Sequence, residues 1–385
     1  MADIHESFLK LKNYCERKGY LGWDPYDGLN SRLFRTVPGL KNSRIARLAW
    51  IQFFKRSPVN LRRLLLVPQE YNPKGIALFL NGYCHLYHIN PSEEYLENIN
   101  QLGHILLSLK SDGYSGACWG YNFDWQARAF FQPKYTPTVV ASTFAAYALL
   151  DAWEITCNRA FRDTALSTAD FILQDLNRTV DQDGDFAFSY SPEDQTQVFN
   201  ASLLGSRMLA RAYSVTGRDE NLQAARKSVA YCCKHQKEDG SWPYGTLPWH
   251  QWIDNFHTGY NLECIAVYQK YSGDDSFSEN LEKGFDYYIN TFFTDKGIPK
   301  YYNDSIYPVD VHTTAQLLIT LHRLGKYAEH RDLAQRVLRW TIDHMQGSDG
   351  HFFYQKHKNY VIRTPYMRWT QAWMFYGMSS SLSNF

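Results

Sequence analysis

A repeat limits most strongly what this chain can become. Segments that open on glycine and are rich in aromatics stand at Gly113 (GYSGACWGY), Gly184 (GDFAFSY), Gly240 (GSWPY), Gly297 (GIPKYY) and Gly350 (GHFFY), about 53–71 residues apart. Each is followed by a long apolar stretch: TPTVVASTFAAYALLDAW, QVFNASLLGSRMLARAY, NFHTGYNLECIAVYQKY, VHTTAQLLITLHRL and RWTQAWMFYGMSSSL. An earlier copy, KGIALFLNGYCHLYHI, starts at Lys74. A period of this kind decides the architecture before any local reading does.

Six apolar helices are thus expected, each preceded by an amphipathic one, near Ser43–Arg56, Ser92–Lys110, Ala160–Leu176, Glu220–Lys237, Phe277–Phe292 and Ala328–Met345. A helix apolar on nearly all sides belongs inside, and a one-sided helix belongs outside. Alternating inner and outer helices close a ring, so the expected fold is all-α: an (α/α)6 toroid, a six-hairpin barrel. It is expected to form one domain over residues 1–385, with residues 1–40 as a lead-in packed on it. Gly82, Gly205, Gly259 and Gly377 fall inside inner helices, where each costs about 1 kcal/mol against Ala. Close helix packing would account for them.

The connections are unequal. Inner-to-outer turns are short (TGRDEN, SGDDSF, LGKYAEH), whereas the outer-to-inner loops are long and carry the Gly-aromatic segments. All the long loops and all the inner-helix N-termini therefore meet at one end, where function is expected.

Bulk properties narrow the partner. Lys and Arg number 40 against 39 Asp and Glu, so there is no polyanion-binding footprint at whole-chain level, and nucleic acid is not expected. No apolar run is long enough for a membrane span. The start, MADIHESFLKLKNYCERKGY, lacks the apolar core of a signal peptide, and the seven scattered Cys suit free thiols. A cytoplasmic protein is the expectation. Aromatics reach 16%. They serve core packing or a cleft in which sugar rings stack on Tyr and Trp.

The loop end supplies aromatics, amides, carboxylates and Arg, the groups a polyhydroxylated ligand needs. Candidate substrate contacts are Trp119, Asp124, Arg128, Trp249, Gln251, Asn255, Asp310, Arg363, Arg368 and Trp369. Candidate catalytic groups are Asp254, His257, Tyr260, Tyr302 and His312. Asp254 and His257 are one helical turn apart and can share a face, although Asp254 can equally cap its helix. No Cys stands at the loop positions from which a toroid would hold zinc, so neither metal nor cofactor is expected.

The Gly-aromatic segments, the helix start DNFHTGYNLE and the opening GYLGWDPYDGLNS resemble the six-hairpin glycosidase-like superfamily. Within it, nearly the whole chain is similar to VpsJ-like polysaccharide-biosynthesis proteins. The resemblance implies a role on an oligosaccharide or polysaccharide, since the superfamily includes glycosidases, uronate lyases, 2-epimerases and glucuronyl C5-epimerases. Three readings follow. In the first, a uronate-containing glycan loses the proton beside its carboxylate, in C5-epimerisation or β-elimination. His257, Tyr260, Tyr302 or His312 would be the base, and Arg128, Arg363, Arg368, Asn255 and Gln251 would neutralise the acid. In the second, Asp254 pairs with Asp124 or Asp310 to hydrolyse a glycoside. In the third, the fold binds glycan without chemistry.

Overall fold

The computed structural model describes residues 3–126 and 131–384. Its helices are α1 (Ile4–Arg17), α2 (Arg32–Thr36), α3 (Arg44–Arg56), α4 (Pro73–Ile89), α5 (Glu93–Ser108), α6 (Val139–Thr156), α7 (Arg159–Asp170), α8 (Phe199–Thr216), α9 (Asp219–Lys234), α10 (Asn255–Ser272), α11 (Ser278–Phe292), α12 (Val311–Arg323), α13 (Arg331–Met345) and α14 (Trp373–Ser379). A π-helical turn, Met367–Ala372, leads directly into α14. Strands are two or three residues long and belong to the long loops, such as β1 (Trp125–Gln126) paired antiparallel with β2 (Phe131–Gln132).

Six helices form the inner ring. α4 packs on α6, α6 on α8, α8 on α10, α10 on α12 and α12 on α14, and α14 returns to α4. The reason is in their composition: every residue of α6 from Val139 to Leu150 is buried. Side-chain caps fix where these helices start. Asn72, Thr138, Asp254 and Asp310 accept from the backbone N–H of Gly75, Ala141, His257 and His312. At the other end Gly217 and Gly273 take left-handed conformations that stop α8 and α10, giving the short turns.

The outer ring holds α5, α7, α9, α11 and α13, and its sixth member is α1. The repeated glycines mark the positions. A Cβ on Gly240 would meet the Lys283 carbonyl of α11 at 2.3 Å, one on Gly297 the Arg336 carbonyl of α13 at 2.7 Å, and one on Gly350 the Lys10 carbonyl of α1 at 2.3 Å. The same joint recurs at these three glycines and closes through α1, whereas a Cβ on Gly113 or Gly184 would meet nothing within 4 Å. Lys12 of α1 also pairs with Glu94 of α5 at 2.6 Å. The expected first outer helix, Ser43–Arg56, is therefore corrected: α3 packs on the Asp27–Asn30 turn and on β1, at the pocket end. Its sequence has apolar residues on several sides, whereas α1 carries one clean stripe, Ile4, Phe8, Leu11 and Cys15.

The inner-helix glycines are packing residues. A Cβ on Gly82 would lie 2.4 Å from the Phe375 ring, and one on Gly259 2.6 Å from Gln316 Cγ; Gly205 is looser, at 3.4 Å. Gly377 faces backbone, with Ala315 Cα at 2.8 Å and its carbonyl at 2.9 Å. Backbone cannot rotate aside. Gly377→Ala should therefore destabilise by about 1–3 kcal/mol, despite Ala being the better helix former. An unchanged urea midpoint would contradict this.

Candidate active site

A cavity of about 450 Å³ opens at the inner-helix N-termini, within the range of small-ligand sites. The second residue of each inner helix lines it: Lys74, Val140, Asn200, Phe256 and His312, with Arg368 in the same place of the π turn. Loop residues raise aromatic walls, chiefly Tyr121, Tyr190, Tyr244, Trp249, Trp252, Tyr301, Tyr302 and Trp369, and α3 adds Leu48, Gln52 and Lys55 at the mouth. Tyr244 and Trp252 stack at 4.4 Å and 16°.

Asp254 caps α10 and orients His257. Its Oδ1 accepts from the His257 backbone N–H at 3.0 Å, and its Oδ2 accepts from the His257 Nδ1–H at 2.7 Å and the Trp252 indole N–H at 3.0 Å. A carboxylate only accepts, so a ring proton sits on Nδ1, and in the neutral ring the lone pair is on Nε2. Asp254 is buried behind the wall, while His257 itself lines the cavity.

Tyr260 and His312 form a second pair, hydroxyl to Nε2 at 3.0 Å. The His312 ring lies between Phe256 (4.5 Å, 9°) and Trp373 (4.1 Å, 27°). Burial, and then the nearby Lys74, His257 and Arg368, hold its pKa well below the usual imidazole range, so it is neutral. Its Nδ1 is buried with no partner among the described residues. Burial likewise keeps Tyr260 a protonated phenol.

Three basic side chains enter the cavity. The Lys74 amine sits over the rings of Phe144 (4.2 Å), Trp373 (5.1 Å) and Tyr260 (5.2 Å). Burial, followed by Arg368, pushes its pKa well down. Lys55 donates to the Tyr26 hydroxyl at 3.0 Å. Arg368 is committed, because its Nε and Nη2 donate to the buried Asp24 at 2.5 and 2.8 Å.

The cavity thus joins His257, Tyr260, Tyr302, His312, Trp249, Arg368 and Trp369 from the expected set. Other expected residues stand elsewhere, for identifiable reasons. Trp119 is fully buried and donates its indole N–H to the Leu106 carbonyl at 2.8 Å. Asn255 turns outward and accepts from the Tyr288 hydroxyl. Asp310 caps α12 and accepts from the Trp369 and Gln355 side chains, and burial raises its pKa to about 6. Asp124 accepts from the Lys134 backbone N–H and pairs with Arg35. Gln251 is exposed and donates back to the Gly245 and Leu247 carbonyls. Arg363 is exposed over the Phe353 ring. Arg128 lies outside the described residues.

Among the described residues the lining therefore contains no Asp or Glu. That removes the pairs Asp254 with Asp124 and Asp254 with Asp310 as carboxylates flanking a scissile bond, since all three are turned into their own hydrogen bonds. Sequence reasoning passed over Lys74, Tyr190 and Tyr244 as site residues. Lys74 was findable: it holds the same helix position as Phe256 and His312.

No protein-family model matches the chain, and no curated protein matches it. Solved structures do. Cellobiose 2-epimerase from Bacillus thermoamylovorans B4167 superposes with a TM-score of 0.62 at 14% identity, covering 81% of this chain and 88% of that one. An unsaturated glucuronyl hydrolase specific for heparin gives 0.59 at 13%, covering 83% and 88%. The Lin0763 protein from Listeria innocua gives 0.65 at 12%, covering 100% and 98%. At these identities the likeness establishes the fold alone: the chain is an (α/α)6 toroid. No helix among the described residues is long and apolar enough to cross a membrane.

Proposed function

We propose that this six-hairpin toroid acts on a uronate-containing glycan, as a carbohydrate epimerase or lyase that removes the proton beside the sugar's carboxylate. A place in polysaccharide biosynthesis belongs to the same proposal. The observation that carries it is the lining: three histidines and two lysines outside any ion pair, with no carboxylate among the described residues. Hydrolysis by paired carboxylates needs two such groups facing the bond; proton abstraction needs one base and positive charge for the oxygen that becomes negative.

The roles follow from the bonds. His257 is the base, because Asp254 holds its proton on Nδ1 and leaves Nε2 to take the substrate's. Electron density then moves from the broken C–H bond into the carboxylate, which gains charge as an enediolate. Lys55 is the cation placed to meet it, since Arg368 is neutralised by Asp24 and burial works against a charge on Lys74. Tyr260, kept protonated, is an acid that returns a proton to the carbon in epimerisation or assists the leaving oxygen in elimination. The stacked Tyr244 and Trp252 offer a face for a sugar ring. The structures of similar fold include proteins described as a cellobiose 2-epimerase and a D-mannose isomerase, so sugar chemistry without hydrolysis has precedent on this scaffold.

The test is incubation with glucuronate-containing oligosaccharides in deuterated water. Deuterium should enter at the carbon beside the carboxylate, or an unsaturated uronate should form. Neutral oligosaccharides should give neither. Absence of both from a panel of uronate glycans would reject the proposal.

A further inference from the structure

The stretch from Gly28 to Gln69 carries nine Lys or Arg and no Asp or Glu, in a chain whose overall balance is +1. It also carries exposed apolar side chains: Ile45 is 80% exposed, Leu64 72% and Val59 62%, with Phe53 at 46%. Lys41, Arg56 and Arg63 are exposed among them. Water-exposed charge of one sign with large apolar groups interleaved is an unusual surface for a soluble chain.

α3 organises this surface. Leu48, Gln52 and Lys55, spaced for one side of the helix, line the mouth of the cavity. Ile45, Ala49, Phe53 and Arg56, spaced for the adjoining side, are exposed. The helix therefore has one edge in the pocket and the next edge in solvent.

We infer that the α3 region docks on an anionic lipid surface and sets the pocket mouth at the headgroups. The partner is chosen by the two chemistries together. Cations meet headgroup phosphates, and apolar side chains enter the boundary of the acyl region. A soluble polyanion would use the cations but leave Ile45, Phe53 and Leu64 in water. A second copy of the chain would cover the apolar groups but set one basic surface against another.

The full chain should co-sediment with phosphatidylcholine vesicles that contain phosphatidylglycerol, and less well as salt is raised. Vesicles of phosphatidylcholine alone should retain little. Each exposed cation contributes about a fivefold factor, so Lys41→Ser with Arg56→Ser should weaken binding by more than about tenfold. Ile45→Ser with Phe53→Ser should do the same by removing buried apolar area. Val180→Ser, at another exposed apolar position (59%) outside the stretch, should change nothing. Thermal melting of the Lys41 with Arg56 variant and of Val180→Ser should match the parent; Phe53 also packs on the Trp50 and Phe54 rings, so Ile45→Ser alone serves as the apolar variant that leaves packing intact. Three results would overturn the inference: no association with the anionic vesicles, association that ignores the Ile45 and Phe53 changes, or a dimer that those changes split into monomers. Vesicle binding is read without turnover, so it stands or falls independently of the pocket's chemistry.

Discussion

Arg368→Ala should unfold about 3–5 kcal/mol more easily than its parent. From sequence, Arg368 reads as a pocket cation for an acidic sugar, a residue whose loss would leave folding untouched. Its surroundings reverse that expectation. Arg368 and Asp24 are both nearly fully buried, and the guanidinium donates to both oxygens of the carboxylate. Burial works against its charge, while Asp24 sustains it. Removing the arginine leaves a buried carboxylate with, among the described residues, only the Tyr26 backbone N–H donating to it. The pair also ties the lead-in to the last inner helix, since Asp24 precedes the ring and Arg368 begins its closing member. Replacing both partners by apolar residues of similar volume should recover most of the loss, because the cost lies in the orphaned charge rather than in the missing attraction. Urea midpoints of the two single variants and the double variant measure this. A shift below about 1 kcal/mol in Arg368→Ala would mean that solvent reaches Asp24.

The ring was legible because its cause is local. A helix such as VVASTFAAYALLDAWEIT has no polar side to give to water, so it must be inside, and six of them in alternation leave few other solutions. The site was legible only to the level of the helix ends. Asp254, Asp310 and Asn255 do sit at inner-helix starts, but a capping carboxylate folds back on its own N–H groups, and a sequence does not tell a capping Asp from one aimed at a ligand. Trp119 shares the loop that brings Tyr121 to the wall, yet its indole finds the Leu106 carbonyl and never reaches the cavity. Nothing in the loop's sequence separates the two. The misplaced first hairpin has a plainer cause. α1 and α3 both carry apolar residues at helical spacing, but α3 lies in a stretch without a single acidic residue. An outer helix with neighbours on both sides normally needs charges of both signs, as Lys12 of α1 has in Glu16 and Glu94.

If His257 is the base, Asp254→Asn should lower turnover on a uronate glycan by about 100-fold or more while leaving the fold nearly intact. The two effects separate because Asp254 does two jobs with different oxygens. Its Oδ1 caps α10, and Asn caps a helix about as well as Asp. Its Oδ2 accepts the Nδ1 proton, which decides that Nε2 is the basic nitrogen. An amide nitrogen in that place would donate, and the ring would carry its proton on Nε2, where it cannot take another. His257→Gln should fall at least as far in turnover, since the base itself is gone. His312→Gln supplies the contrast. That ring is held between Phe256 and Trp373, so its loss should lower the melting temperature as well as the rate. The informative measurement is therefore kcat beside Tm for the three variants. Asp254→Asn and His257→Gln with parental kcat would reduce the dyad to a helix cap and return the base to Tyr260 and His312. Asp254→Asn that melts early would mean that the Trp252 indole, which shares Oδ2, depends on the carboxylate's charge to hold the pocket wall in place.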